Sequence, residues 1–196
     1  MDKPLILETE RLILRPWKET DAECLYEYAK NPHIGPAAGW PVHTSAENSR
    51  QIIRDVLSTS ETYAVTLRND GIAIGAIGLM FGEKSNLQLG DGEAEIGYWV
   101  GEPYWGKGII PEAVHALMRS AFNELCVSKI WCGYFEGNEQ SKRVCEKCGF
   151  KYHHTEYGKQ WPLINATMTQ HIACIRQEEF NAGLVEAGIN AEQALT

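Results

Sequence analysis

The stretch Glu93 to Ala113, EAEIGYWVGEPYWGKGIIPEA, constrains this chain more than any other. Its first eight residues alternate as a strand does. A loop containing Gly106 and Gly108 follows. Beyond it Ala113, Val114, Leu117, Met118, Ala121, Phe122 and Leu125 recur at the spacing of an amphipathic helix, with Pro111 expected at the first helical position. The first turn of a helix has N–H groups without internal partners, and the macrodipole adds partial positive charge there. Glycines let the backbone reach unusual torsions and come close to a ligand. A strand, a glycine loop and a helix start in this order form an anion site suited to a phosphate or pyrophosphate, with Lys107 adding charge. No Gly-Lys-Ser/Thr follows, which excludes a P-loop. No G-x-G-x-x-G lies in an early βαβ unit, which excludes a dinucleotide fingerprint. Taken alone, the two glycines could serve only a tight turn.

The rest of the chain sets the fold class. Leu12 to Leu14 reads as a strand ended by Pro16. Thr20-Asp-Ala-Glu23 and Thr44-Ser-Ala-Glu47 are capping boxes that open two helices, separated by an irregular Pro/Gly loop from Asn31 to Pro41. Thr62–Leu67 and Ile72–Met80 flank Asn69-Asp70-Gly71 and read as a hairpin. After the long helix come a strand at Lys129–Phe135, a helix from Asn138 ended by Gly149, and two strands, from Phe150 onward and over Thr167–Ile175. This order predicts a mixed α/β (α+β) single domain on one sheet of about six to seven strands, over residues 7–180. Residues 181–196 are expected to be a short peripheral tail, frayed or briefly helical.

With 196 residues the chain is expected to hold one domain. No apolar run approaches the ~20 residues that span a bilayer, and the opening lacks a signal-peptide pattern. The 26 acidic against 18 basic residues, net −8, argue against broad nucleic-acid binding. The six cysteines are read as reduced thiols of a cytoplasmic protein. Cys145-Glu-Lys-Cys148 lies in a helical pattern and no second pair has zinc-like spacing, so no metal is expected.

Three segments together resemble one family. Trp105-Gly-Lys-Gly-Ile-Ile110 is similar to the R/Q-x-x-G-x-G/A acyl-CoA loop of the GNAT acetyltransferase superfamily, with Gly108 at its central glycine. Trp105 replaces the usual Arg or Gln, and Ile110 the usual small residue. Thr9-Glu-Arg-Leu-Ile-Leu-Arg15, followed by Asp21-Ala22, resembles the opening of the RimJ/RimL-type branch, the ribosomal-protein N-terminal acetyltransferases and their relatives. Asn138-Glu-Gln-Ser141, continuing to Glu146-Lys-Cys-Gly-Phe150, resembles that branch's second cofactor segment. The match runs over roughly residues 7 to 180. It implies a twisted, mostly antiparallel sheet splayed between the Glu93 and Lys129 strands. Acetyl-CoA would lie in the split, its pantetheine beside free backbone groups near Tyr98, Trp99 and Val100. Its pyrophosphate would meet N–H groups of Gly106, Lys107, Gly108, Ile109 and Ile110, next to Trp105. The implied reaction is direct acetyl transfer to a primary amine, on a peptide N-terminus or a small molecule, by a monomer or homodimer without nucleic-acid or membrane partners. A non-catalytic acyl-CoA-binding module on the same fold is the alternative.

Such a reaction needs a base for the amine and a donor for the leaving thiolate. Glu95 resembles the position where some superfamily members hold the base; Glu93 shares its face by alternation, and a solvated acidic strand is the plainer reading. Asn138 suits an N-cap that accepts from the Ser141 N–H, without excluding a cofactor contact. Ser141 resembles the branch's serine near the sulfur. Cys145, where many members have a tyrosine, is one turn away and reads either as an acid or as a core thiol. Trp17, Trp40, Tyr63 and Trp161 are aromatic core candidates; Trp40, Trp161 and the loop residue His33 are the candidates for the acceptor mouth.

Overall fold

The computed structural model describes residues 5–186. Eight strands form one sheet: β1 (Leu7–Glu8), β2 (Leu12–Pro16), β3 (Thr62–Leu67), β4 (Ala73–Met80), β5 (Glu93–Val100), β6 (Lys129–Phe135), β7 (Lys151–Trp161) and β8 (Ala166–Arg176), in the order β1-β2-β3-β4-β5-β6-β8-β7. The expected count of six to seven is thereby corrected. The extra strand is the two-residue β1, too short to show alternation, which pairs Leu7 with Leu14. Every pair is antiparallel except β5–β6. That parallel pairing covers only Glu93–Glu95 against Lys129–Trp131. Beyond it β5 stays on β4 as far as Val100, while β6 stays on β8 as far as Phe135. The sheet therefore opens into a wedge between two strands, each fully paired on its other edge.

Five helices flank it: α1 (Ala22–Ala29), α2 (Ala46–Ile52), α3 (Ile109–Glu124), α4 (Glu139–Lys147) and α5 (Gln177–Glu186). Alternation on β5 sends Ala94, Ile96 and Val100 to one face, where they pack with the α3 stripe Ile110, Ala113, Val114, Leu117, Met118 and Ala121. On the other face a smaller core joins Trp17, Ala22, Leu25, Ala29 and Ile53 to Ala64 and Ala76. Tyr63 is buried in the main cluster, so it and Trp17 are core residues.

Local signals shift by a residue or two. The first capping box is not used: Asp21, not Thr20, precedes α1, accepts from the Lys18 N–H and takes a bidentate pair from Arg15 at 2.7 and 2.8 Å. At α2 the cap is Ser45, which accepts from Asn48 N–H at 3.0 Å. Pro111 is the third residue of α3, after Ile109 and Ile110, because Gly108 in a left-handed turn already starts the helix. The proposed domain end at residue 180 falls inside α5, whose Phe180 packs on Phe122 at 5.4 Å between ring centroids. The tail expected at 181–196 is thus helical to Glu186, and 187–196 lie outside the described residues. Among the described residues no helix is long and apolar enough to cross a membrane.

Candidate active site

The wedge continues into a cavity of about 990 Å³ that runs from the start of α3, along the open edge of β5, to the Pro/Gly loop on the other side of the sheet. Gly106 and Gly108 both adopt φ +73°, a conformation that glycine reaches without strain. The N–H groups of residues 106 to 110 make no backbone hydrogen bond among the described residues, and the first helical bond is Glu112 N–H to Gly108 C=O at 3.2 Å. Five adjacent free donors at the positive end of a 16-residue helix fit an anionic group.

This loop is pinned from across the chain. Glu112, in the first turn of α3, accepts from Thr9 Oγ1 at 2.5 Å, Arg11 N–H at 3.0 Å and Arg11 Nε at 2.6 Å. Arg11 also donates to the Lys107 carbonyl at 3.0 Å. Burial disfavours the Glu112 charge, but these donors outweigh it and hold the carboxyl below its ordinary pKa. The Thr9–Arg11 segment thus acts as a strut for the loop, and Arg15 with Asp21 braces its own strand. Lys107 is placed differently from the expectation. Its side chain lies over the Tyr104 ring at 5.6 Å and does not line the cavity, so what Lys107 offers the loop is its free N–H.

Trp105 donates its Nε1–H to the Val100 carbonyl at 2.9 Å. Val100 was expected to offer a free backbone group; its oxygen is taken by the indole. Trp99 lines the cavity and packs edge-on to Trp40 at 5.7 Å. Tyr98 points to the α4 side, and its buried hydroxyl lies 3.0 Å from Ser141 Oγ, 3.7 Å from Cys132 Sγ and 3.8 Å from Cys145 Sγ. Burial pushes the phenol well above its ordinary pKa, so it stays a neutral donor. Asn138 Oδ1 accepts from Ser141 N–H at 3.0 Å, capping α4, and its Nδ2 reaches the Ala37 carbonyl at 3.4 Å. Ser141 lines the cavity; Cys145 does not, and contacts Cys132 at 3.3 Å in the core. Hydrogen bonding to Cys145 and burial push the Cys132 thiol up. Burial also pushes the Cys148 thiol up, to about 12. The described cysteines are all free thiols.

Glu95 lies on the opposite side of the sheet from Tyr98 and is 4% exposed. Its Oε2 accepts from Ser85 Oγ at 2.7 Å and Asn86 N–H at 2.8 Å, both from the β4–β5 connection. Desolvation outweighs these bonds and raises its pKa. Glu93, on the same strand face, turns away from the cavity. It accepts from Trp131 Nε1 at 2.8 Å and Gly90 N–H at 3.0 Å and sits 3.4 Å from Lys129 Nζ. Burial works against its charge, but those partners hold it below the ordinary value.

The loop with His33, Ala37, Ala38 and Trp40 roofs the cavity on this side. Trp161, at the end of β7, closes it against Phe135, 4.9 Å away and nearly perpendicular. Gly39, at φ +85°, is required beneath Trp161, since a Cβ there would overlap the indole. His33, Trp40 and Trp161 therefore meet at one wall. The roles of Arg11, Thr9, Ser85, Asn86 and the Tyr98 hydroxyl were not read from sequence. Only the Thr9–Arg15 segment carried a signal for them, through its resemblance.

A family model described as the acetyltransferase (GNAT) domain matches residues 11–151. The Bacillus licheniformis protein p20, named an uncharacterized N-acetyltransferase, is 27% identical over 150 residues, covering 74% of this chain and 82% of its own. A GNAT-family acetyltransferase structure from Bacillus anthracis superposes with a TM-score of 0.77 at 24% identity, covering 89% of this chain and 99% of that one. Mycobacterium smegmatis RimJ, solved in complex with CoA-disulfide, superposes with a TM-score of 0.74 at 19% identity, covering 94% and 95%.

Proposed function

From the premise that the chain belongs to the GNAT acetyltransferase family and is an N-acetyltransferase, we propose that it moves acetyl from acetyl-CoA directly to a primary amine, on a protein N-terminus or a small molecule, as a member of the RimJ/RimL-type branch. The observation that carries this reading is the row of free N–H groups at residues 106 to 110, opening onto a cavity that crosses the sheet. Those donors receive the pyrophosphate. The unpaired edge of β5 beyond Glu95 receives the pantetheine, with the Val100 carbonyl withdrawn by Trp105.

The two faces of the sheet divide the chemistry. On the α4 side Ser141 donates a hydrogen bond to the leaving thiolate, and Tyr98 holds that hydroxyl in place. A positioned donor of this kind acts on charge that grows in the transition state. On the other side Glu95 accepts the proton of an ammonium group, whose reference pKa of about 8 to 10 keeps it charged at neutral pH. Its raised pKa suits a base in that range better than an ordinary carboxylate would. Holding amine and thioester together across the wedge lowers the barrier further. The test is release of free thiol from acetyl-CoA across a panel of peptides and small amines. Amine-dependent release is expected; tight acetyl-CoA binding with no release on any amine would identify a binding module instead.

A further inference from the structure

One polar side chain on the Glu95 side of the cavity has no role in the chemistry above. Gln170, in β8, is 3% exposed and lines the cavity. Its Oε1 accepts from Lys159 Nζ at 3.2 Å. An ammonium only donates, so the carboxamide oxygen must face Lys159 and the NH₂ must face away. Lys159 is itself held by Glu156 at 2.5 Å and by the Asn86 carbonyl at 2.7 Å. The Gln170 Nε2 meets no acceptor among the described residues, which leaves a donor on this face for a ligand in the cavity. It lies over Gly133 of β6, where a Cβ would overlap the carboxamide.

Gly133 has a counterpart. Continuing the β5–β6 register from Glu95 and Trp131 brings Gly97 opposite Gly133 across the wedge. The two strands therefore show no side chain to this face at the point where they part, and the Met80 methyl lies against Gly97. Two groups overlook the window: the Glu95 carboxylate and the Gln170 NH₂. One chain of bonds joins them, since the Asn86 N–H donates to Glu95 and the Asn86 carbonyl accepts from Lys159, which donates to Gln170. An acceptor and a donor are thus held on one framework over the opening.

We propose that Gln170 is a specificity residue for the acetyl acceptor: its Nε2–H binds a carbonyl oxygen on the carbon attached to the amine-bearing carbon, while Glu95 takes the ammonium. The inference rests on the acetyl-transfer reading. The acceptor it selects is an α-aminoacyl compound, an amine with a neighbouring carbonyl, over an alkylamine with the same side chain and no carbonyl. Lys159 is the positioning residue that prevents the amide from turning over. A peptide N-terminus and a free amino-acid amide share this chemistry.

The experiment compares kcat/KM for phenylalaninamide, the peptide Phe-Ala-Ala and 2-phenylethylamine, followed by thiol release. Wild type should prefer both carbonyl-bearing amines. In Gln170→Leu the amide-to-alkylamine ratio should fall about three- to tenfold, the size of one neutral hydrogen bond, through KM for the amide. Gln170→Glu keeps the Lys159 contact and replaces the donor by an oxygen; it should lower the same ratio and covers the case in which the leucine variant fails to fold. An unchanged ratio in a folded variant, or no wild-type preference, overturns the assignment. No transfer to either carbonyl-bearing amine overturns it as well, even if other amines are acetylated. No transfer to any amine of the wider panel overturns the acetyl-transfer reading itself. A faster peptide points to protein N-termini and a faster amide to free amino-acid derivatives; both outcomes support the selection.

Discussion

Replacing Glu95 by Gln separates a catalytic carboxylate from a structural one. Both local donors, Ser85 Oγ and Asn86 N–H, bind the same oxygen, Oε2, and Oε1 receives no hydrogen bond among the described residues. A glutamine oxygen can accept both bonds, so the connection keeps its shape and only the charge and the proton-accepting atom disappear. Removing a positioned base costs about 10² to 10⁴ in rate, or about 3 to 5 kcal/mol of activation free energy. The kcat of Glu95→Gln should fall by about that factor, while acetyl-CoA affinity measured by calorimetry stays within about twofold, since the anion site lies at the other end of the wedge. Desolvation raises the Glu95 pKa, so the acid limb of the wild-type kcat/KM profile should lie above the ordinary carboxylate range. That limb should vanish in the variant, leaving the limb set by the amine. Stability should move the other way. A carboxyl whose folded pKa is raised contributes stability below its unfolded pKa and loses it as pH rises through the folded one. Glutamine removes that loss, so the variant's melting temperature should match or exceed wild type at pH 7, with the difference closing near pH 4. A folded Glu95→Gln enzyme with wild-type kcat and an unchanged acid limb would refute the argument and leave Glu95 as a buried anchor for the β4–β5 connection.

Gly108→Val should abolish measurable acetyl-CoA binding by calorimetry, because a β-branched residue is strained at φ +73° and its Cβ would lie 3.6 Å from the Arg11 guanidinium that pins the loop, so the row of free N–H groups is disturbed; the circular dichroism spectrum should stay that of a folded protein. Ser141→Ala should lower kcat more than it weakens acetyl-CoA binding, and Cys145→Ala should matter less because its sulfur is buried behind Tyr98; the opposite order in steady-state rates would give the thiolate donor role to Cys145. Arg11→Met should weaken acetyl-CoA binding with little change in the acceptor KM, since the guanidinium ties the Lys107 carbonyl and Glu112 but lies far from the Glu95 wall; equal losses in both constants would show that the strut does more than hold the loop.

Much of the anion site was legible in the linear chain because its determinants are local. Glycines where φ is positive, a strand ending one loop before an amphipathic helix, and an asparagine three residues ahead of Ser141 each act within a turn or two. Their exact positions were less legible: Gly108 opens α3 and leaves Pro111 at its third residue, and Asp21 and Ser45 displace the expected caps. Such ends are decided by small energy differences between neighbouring caps. The other half of the site belongs to the tertiary structure. Glu95 in an alternating strand reads either as a solvated position or as a cleft carboxylate, and the folding back of Ser85 and Asn86 decides between them by burying it, with a raised pKa. Gln170 reads as a polar strand position until β6 places a glycine beneath it and β7 supplies Lys159. Arg11 and Glu112 lie 101 residues apart in sequence, and no periodicity joins them. Backbone geometry is written in the residues that adopt it, whereas the burial, charge state and free donors of a side chain depend on which distant strand comes to lie beside it.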